Sequence, residues 1–517
     1  MITSKLKSGA SLPELTGSPE PSMGNWTSRL SRSRWLAFIL VALVGLAVRV
    51  PQLAVRPMHT DEAVNAYIVG QLLAGEPFTY DPQDRHGPAL AAMALPLARM
   101  QGAKSFSELT ESELRLTSVV AGTITILLWG ATVEMFGFLP SLLTALLFAV
   151  APLPVYYDRY FIHEPLFCAA TLGLILSGWL AWRKRSLGHA VLAGACAALM
   201  LACKETAILQ LFALAGAALI FRARNQRDDR SIKVVRIGPL LAAAGTFLAF
   251  VLILFSWFGK SREGLTELLR VVPDSIARAG GQGHERPFWF YGQLLTGGWS
   301  GGLLLALACL GLFLSIKTRG ASPTQWLAYY GLLIAGIYSL IPYKTPWLAL
   351  NLWLVIALFA AHAAVLLWRW ASERFDRRVV VATFCILAAF VAVFLGHDTR
   401  QRVFIHSFDE SNPYAYAHTS DDIVGLPVEI EDLARRDGIS SPRIAVIASD
   451  PWPLPWYLRH FKQVGFWQPG QRVTEADFYI TSTESAEQYS DQLRSLRPEF
   501  FGVRPNVLIL LWSPAPK

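Results

Sequence analysis

Acidic residues beside histidines and cations recur in this sequence at the ends of long apolar runs. His59, Asp61 and Glu62 come just after the first run, and Arg159, His163 and Glu164 after the third. Lys204 and Glu205 separate the fifth from the sixth, and Tyr343 and Lys344 precede the tenth. Paired carboxylates at a membrane surface are costly unless they meet a cation, a proton or a substrate. A carboxylate can take the proton of an attacking hydroxyl, and Arg or Lys can stabilise charge developing on a phosphate. Glycosyl transfer from a lipid phosphate would use both. A lipid-linked donor needs no soluble nucleotide pocket, which fits the lack of a Gly-rich phosphate loop.

The elements that position these residues are apolar. The chain has 517 residues, 53% hydrophobic and 16% charged, well below the charge of an ordinary soluble domain. Apolar runs long enough to cross a bilayer recur along most of it. The expected fold is mainly α: a polytopic membrane protein of about eleven spans with a small C-terminal α/β domain. The spacing predicts spans near 35–53, 115–136, 139–156, 165–182, 187–203, 207–221, 237–258, 299–316, 326–341, 346–368 and 379–396. Basic residues gather between spans at 183–185, 222–236, 317–319 and 369–378, as cytoplasmic loops do. The net charge of +8 is therefore no sign of nucleic-acid binding. This parity puts the N-terminus in the cytoplasm, and the C-terminal domain and the chemical residues outside, in the cell membrane.

Three segments are expected: a disordered cytoplasmic tail 1–34, a membrane unit 35–396 with long outer loops 54–115 and 259–298, and an outer domain 397–517. Amphipathic stretches in the first loop would lie along the membrane interface. In the outer domain the patterns predict helices near 421–436 and 484–496 and strands near 443–448, 478–481 and 506–512. The five cysteines lie in or at the edges of apolar runs and read as small buried apolar residues, not as a disulfide or metal set.

Each candidate has a plainer reading. Asp61 could cap a helix that begins at Glu62. Arg159 and Lys204 could form structural salt bridges or snorkel. Asp81, Asp84 and the 284–286 triplet read as solvated loop, and His59 and His86 as hydrogen-bonded structural histidines. Tyr67, Trp289, Tyr291, Tyr343 and Trp347 could line a sugar site, although membrane interfaces favour the same residues. Two carboxylates with histidines could hold a divalent cation, but the spacing is not diagnostic. No metal or cofactor is assigned.

Four stretches carry a resemblance. HTDEAVNAY, YYDRYFIHEPLF, CKETA and YKTPWLALNLW, in that order and membrane placement, resemble the GT-C integral membrane glycosyltransferases. The branch they look like is the flippase-activity-associated membrane proteins, similar to protein O-mannosyltransferases and to ArnT. DPWPLPWYLR, residues 450–459, also looks like that branch. The resemblance implies inverting transfer of a sugar from a polyprenyl-phosphate donor to an acceptor at the extracytoplasmic face. It implies Asp61 as catalytic base with Glu62 as its neighbour, and Glu164 as the second-loop acid, where relatives often carry Asp. Lys204 and Lys344 match basic positions that would contact the donor phosphate. His59, Tyr67, Arg159, His163, Glu205 and Tyr343 complete the candidate substrate-binding set. The competing expectation is a transporter or flippase for lipid-linked saccharides, which wants polar residues near the bilayer midplane.

Overall fold

The computed structural model describes residues 32–515 except 84, 226–236, 272, 275–279 and 281–283. The expected tail 1–34 thus lies outside the described residues up to 31, and residues 32–34 open the first helix. Most of the basic loop 222–236 and Asp84 also lie outside them.

Helix α1, Arg32–Arg49, is followed by α2, Thr60–Leu73, and α3, Ala89–Met100, which form the first long loop. Then comes α4, Glu111–Ala131, started by a capping box in which Thr110 and Glu113 satisfy each other's backbone N–H groups. Among the described residues seven helices are long and apolar enough to cross a membrane: Glu111–Ala131, Glu164–Lys184, Ala207–Asn225, Ile237–Phe255, Ser300–Lys317, Pro346–Ser372 and Arg377–Ile405. The expected eleven included α1, which carries three arginines, and Pro323–Leu340, which is diluted by Thr324, Gln325 and three tyrosines. It also included Phe138–Val150 and Leu187–Cys203, apolar but only 13 and 17 residues long. The third expected span is broken at Ala151, and its second part is the short helix Pro152–Tyr157. The molecule is a multi-pass membrane protein.

The bundle is close-packed at its centre and greasy outside. The Glu164–Lys184 and Pro346–Ser372 helices are its most buried, whereas Ile237–Phe255 and Arg377–Ile405 present most of their apolar side chains outward. In water such faces would be unstable; against lipid tails they are the expected surface. Small residues let helices touch where a side chain would not fit. A Cβ on Gly194 would lie 2.2 Å from the Ala243 carbonyl oxygen, and one on Gly311 2.2 Å from that of Phe359. Of the five cysteines, Cys309 and Cys385 are exposed on helix surfaces rather than buried.

The C-terminal domain has a helix, Asp422–Arg436, and a five-stranded sheet ordered β2-β1-β3-β5-β4. The strands are β1 Arg443–Ile447, β2 Gln463–Trp467, β3 Phe478–Ser482, β4 Leu496–Arg504 and β5 Val507–Pro514. β1 pairs in parallel with β2 and β3; β5 pairs antiparallel with β3 and β4. The helical run expected through 484–496 is two short helices that end at Leu493, and Leu496 already belongs to a strand.

The sheet domain does not stand apart. Ile423, Ile430 and Trp456 share one apolar core with Met58, Ala63 and Ala66 at the start of α2, and with Leu90 and Ala94 of α3. The Tyr457 hydroxyl accepts the Met58 N–H at 2.8 Å, and Trp456 Nε1 donates to Glu111 at 2.8 Å. The amphipathic stretches of the first loop therefore bury their apolar sides under protein.

Candidate active site

The site is built from α2 outward. His59 has an extended backbone, φ −70° and ψ 155°, and caps the helix: its Nδ1 accepts the Asp61 N–H at 3.1 Å, and its own N–H donates to Glu62 at 3.1 Å. The cap expected at Asp61 is thus His59, two residues earlier. With Nδ1 accepting, Nε2 carries the proton and donates to the Tyr416 carbonyl at 3.0 Å. The Asp61 side chain is left half-buried, and it accepts no hydrogen bond among the described residues.

Asp61 lines a cavity of about 410 Å³ together with Asn65, Arg85, His86, His163, Glu164, Lys204, Glu205, Tyr291, Tyr338, Tyr343 and Trp347. Opposite charges meet inside it. Lys204 Nζ lies 2.6 Å from Glu164 Oε1, with the two side chains 11% and 3% exposed. Burial disfavours the ammonium, but Glu164 wins and holds the Lys204 pKa above its ordinary value. Lys204 is therefore charged at neutral pH. Its Nζ also stands 5.9 Å over the Trp347 ring. Glu205 accepts Tyr80 Oη at 3.0 Å and pairs with His86 Nδ1 at 2.9 Å. Burial raises its pKa, but His86 and the Tyr80 bond drive it well below the carboxylate range. His163 is fully buried, its ring 5.2 Å from that of His86, and burial with the nearby His86 and Lys204 keeps it neutral.

The cavity thus gathers Asp61, His163, Glu164, Lys204, Glu205 and Tyr343. It does not gather the other candidates. Glu62 is fully buried behind Asp61 and held by Arg115, with Nη2 to Oε2 at 2.7 Å and the Phe161 N–H on Oε1 at 2.9 Å. Burial alone would raise its pKa, but Arg115 lowers it to about 2. Arg159 faces away and donates to the backbone carbonyls of Arg49, Pro51 and Gln52. Its neighbour Asp158 pairs with Arg49 at 2.8 Å. Lys344 Nζ donates to the carbonyls of Arg286 and Ile341. Tyr67 packs edge-on against Phe106 and Trp452, outside the cavity. Glu62, Arg159 and Lys344 are thus taken up by backbone or by a distant partner, and Tyr67 by ring contacts.

Other residues support the site without obvious sequence signal. Arg56 lies 3.8 Å over the Tyr160 ring. His418 Nε2 sits between the hydroxyls of Tyr160, at 2.7 Å, and Tyr156, at 2.9 Å. Glu285 and Arg286 lie exposed, as a solvated loop should, but the Arg286 N–H donates to the Pro342 carbonyl and the Lys344 N–H to that of His284, which pairs this loop with the Tyr343 segment. Among the described residues no group of three His, Cys, Asp or Glu could hold a metal ion.

Residues 101–257 match the family model of dolichyl-phosphate-mannose-protein mannosyltransferases. No curated protein matches the chain by sequence. Among solved structures, ArnT from Cupriavidus metallidurans bound to undecaprenyl phosphate is 14% identical at a TM-score of 0.62, covering 93% of this chain and 98% of that one. The archaeal oligosaccharyltransferase AglB from Archaeoglobus fulgidus, in complex with an inhibitory peptide and a dolichol-phosphate, is 14% identical at 0.53, covering 91% of this chain and 73% of that one.

Proposed function

We propose that this chain, which has the GT-C glycosyltransferase fold, moves a sugar from a polyprenyl-phosphate donor to an acceptor at the extracytoplasmic face of the membrane. One observation carries the reading: the unpartnered Asp61 carboxylate and the charged Lys204 line the same cavity. Asp61 takes the proton of the acceptor as it attacks the anomeric carbon. Lys204, held in place by Glu164, stabilises the phosphate as the sugar–phosphate bond breaks. About 410 Å³ is ample for a sugar ring, and Tyr291, Tyr343 and Trp347 supply apolar faces for one. Glu62 and His59 position Asp61 rather than touch substrate. That ArnT and AglB have been solved with lipid phosphates supports the donor class.

On this reading the N-terminus is cytoplasmic, residues 35–396 form the membrane unit and 397–517 an outer domain that covers α2. The acceptor is a hydroxyl or amine of a protein, lipid or glycan. The test is transfer from radiolabelled undecaprenyl- and dolichyl-phosphate sugars by purified protein in liposomes, wild type beside Asp61→Asn. Transfer by the wild type alone supports the reading. Movement of labelled lipid across the bilayer without transfer would favour the flippase instead.

A further inference from the structure

The charges of the cavity leave one group unexplained. A lipid phosphate departs with nearly two negative charges (its second pKa is roughly 6). Lys204 meets it already paired with Glu164. His86 is differently placed. Glu205 is ionised and can only accept, so His86 Nδ1 carries the proton of their 2.9 Å bond. The second oxygen of Glu205 is fixed by Tyr80, so the carboxylate cannot swing away. The His86 ring lines the cavity, 32% exposed, and its Nε2 has no hydrogen-bond partner among the described residues. A carboxylate that fixes one ring nitrogen and turns the other to the substrate is the arrangement proton transfer requires.

We propose that His86 and Glu205 form a dyad that donates a proton to the departing lipid phosphate. The inference rests on the transfer reading above. The acceptor oxygen or nitrogen bonds to the anomeric carbon and loses its proton to Asp61. The bond from that carbon to the phosphate oxygen breaks, and its electron pair stays on the oxygen. The proton on Nε2 of the His86 imidazolium passes to the phosphate, leaving neutral His86 and a lipid phosphate monoanion. Water then takes the proton from Asp61 and returns one to His86. Glu205 and His163 flank the ring, Lys204 and Tyr80 stand behind them and Arg85 precedes it in the chain. His163 is fully buried and Lys204 is held by Glu164, so His86 is the imidazole whose second nitrogen is turned to the cavity.

Undecaprenyl phosphate is the probe. Its binding to the purified protein in detergent is measured by calorimetry between pH 7 and 9, in pairs of buffers with different ionisation enthalpies. The dyad shares a proton between His86 Nε2 and the bound phosphate, and that proton is taken up from the buffer on binding. The wild type is expected to absorb about one proton per lipid bound, and its affinity to fall about tenfold per pH unit. His86→Gln is expected to absorb none and to bind with little pH dependence, and Glu205→Gln to lie between them. Binding by the wild type without proton uptake, or the same uptake and slope in His86→Gln, would overturn the dyad while leaving lipid-phosphate recognition intact. No binding by the wild type would overturn the transfer reading and the dyad together.

Discussion

Arg115 grips Glu62 through two hydrogen bonds of 2.7 Å, Nε to Oε1 and Nη2 to Oε2, across a sequence separation of 53 residues. Both side chains are almost wholly buried. The pair ties the start of α2 to the start of α4, and so fixes where Asp61 stands. Adjacent acids in the sequence therefore have opposite duties, one facing the cavity and one holding the scaffold.

Two neighbouring substitutions separate those duties. Glu62→Gln breaks a buried ion pair and should cost about 3–5 kcal/mol. Asp61→Asn changes a half-buried side chain without partners and should stay within about 0.5 kcal/mol of the wild type. Thermal unfolding in detergent reads both. Equal loss of stability would contradict the division.

The same pair sets a response to acid. The Glu62 pKa is lowered from 4.5 to about 2 in the folded protein. A depressed carboxylate contributes stability above its unfolded pKa and loses it as pH falls through the folded one. Stability should therefore decline from about pH 4.5 towards about pH 2. Glu62→Gln should lack that component of the decline. Melting curves between pH 7 and 3 check the slope.

Lys204 and Glu164 should respond asymmetrically. Lys204→Met removes the cation and leaves a buried carboxylate alone, and the Michaelis constant for the donor should rise about ten- to a hundredfold, equivalent to about 1.4–2.8 kcal/mol. Glu164→Gln removes the charge that offsets burial of the Lys204 ammonium but keeps a side chain beside it, so the donor Michaelis constant should rise less than in Lys204→Met. Steady-state kinetics over donor concentration decides the matter, and a parallel loss in both would remove Lys204 from the phosphate.

Arg159 gives the opposite test. Its guanidinium ends the loop after α1 by binding three carbonyls. Arg159→Ala should lower stability by about 1–3 kcal/mol and leave the donor Michaelis constant of the folded fraction unchanged. A raised constant at wild-type stability would return Arg159 to the substrate.

The cap at His59 links the outer domain, through the Tyr416 carbonyl, to the Asp61 backbone. His59→Ala should cost about 1 kcal/mol and lower kcat, whereas His59→Asn keeps a capping side chain and should keep more of both. Unfolding and single-turnover rates compare the three proteins.

Local pattern carried much of this structure. The apolar runs found the long helices, and alternation found β1, β3 and β5. β2 was missed because Gly465 breaks a five-residue pattern, and β4 because Pro498, Gly502 and four exposed residues disguise an edge strand. Residue type and position relative to the spans picked out Asp61, Glu164 and Lys204, which the fold brings to one cavity. Type alone could not tell Lys204 from Lys344, or Asp61 from Glu62. What separates them is the partner each meets, and the partners of Glu62 and Asp158 lie 53 and 109 residues away. His86 is hydrogen-bonded, as its type suggests, but its partner Glu205 lies 119 residues on, out of reach of any local pattern.

The most direct measurement is transfer of label from a polyprenyl-phosphate sugar by the purified protein in liposomes, wild type beside Asp61→Asn with matched melting curves. The account predicts label on the acceptor with the wild type and a loss of at least about a thousandfold in the variant, about 4 kcal/mol of transition-state stabilisation. Transfer by Asp61→Asn at the wild-type rate would contradict it.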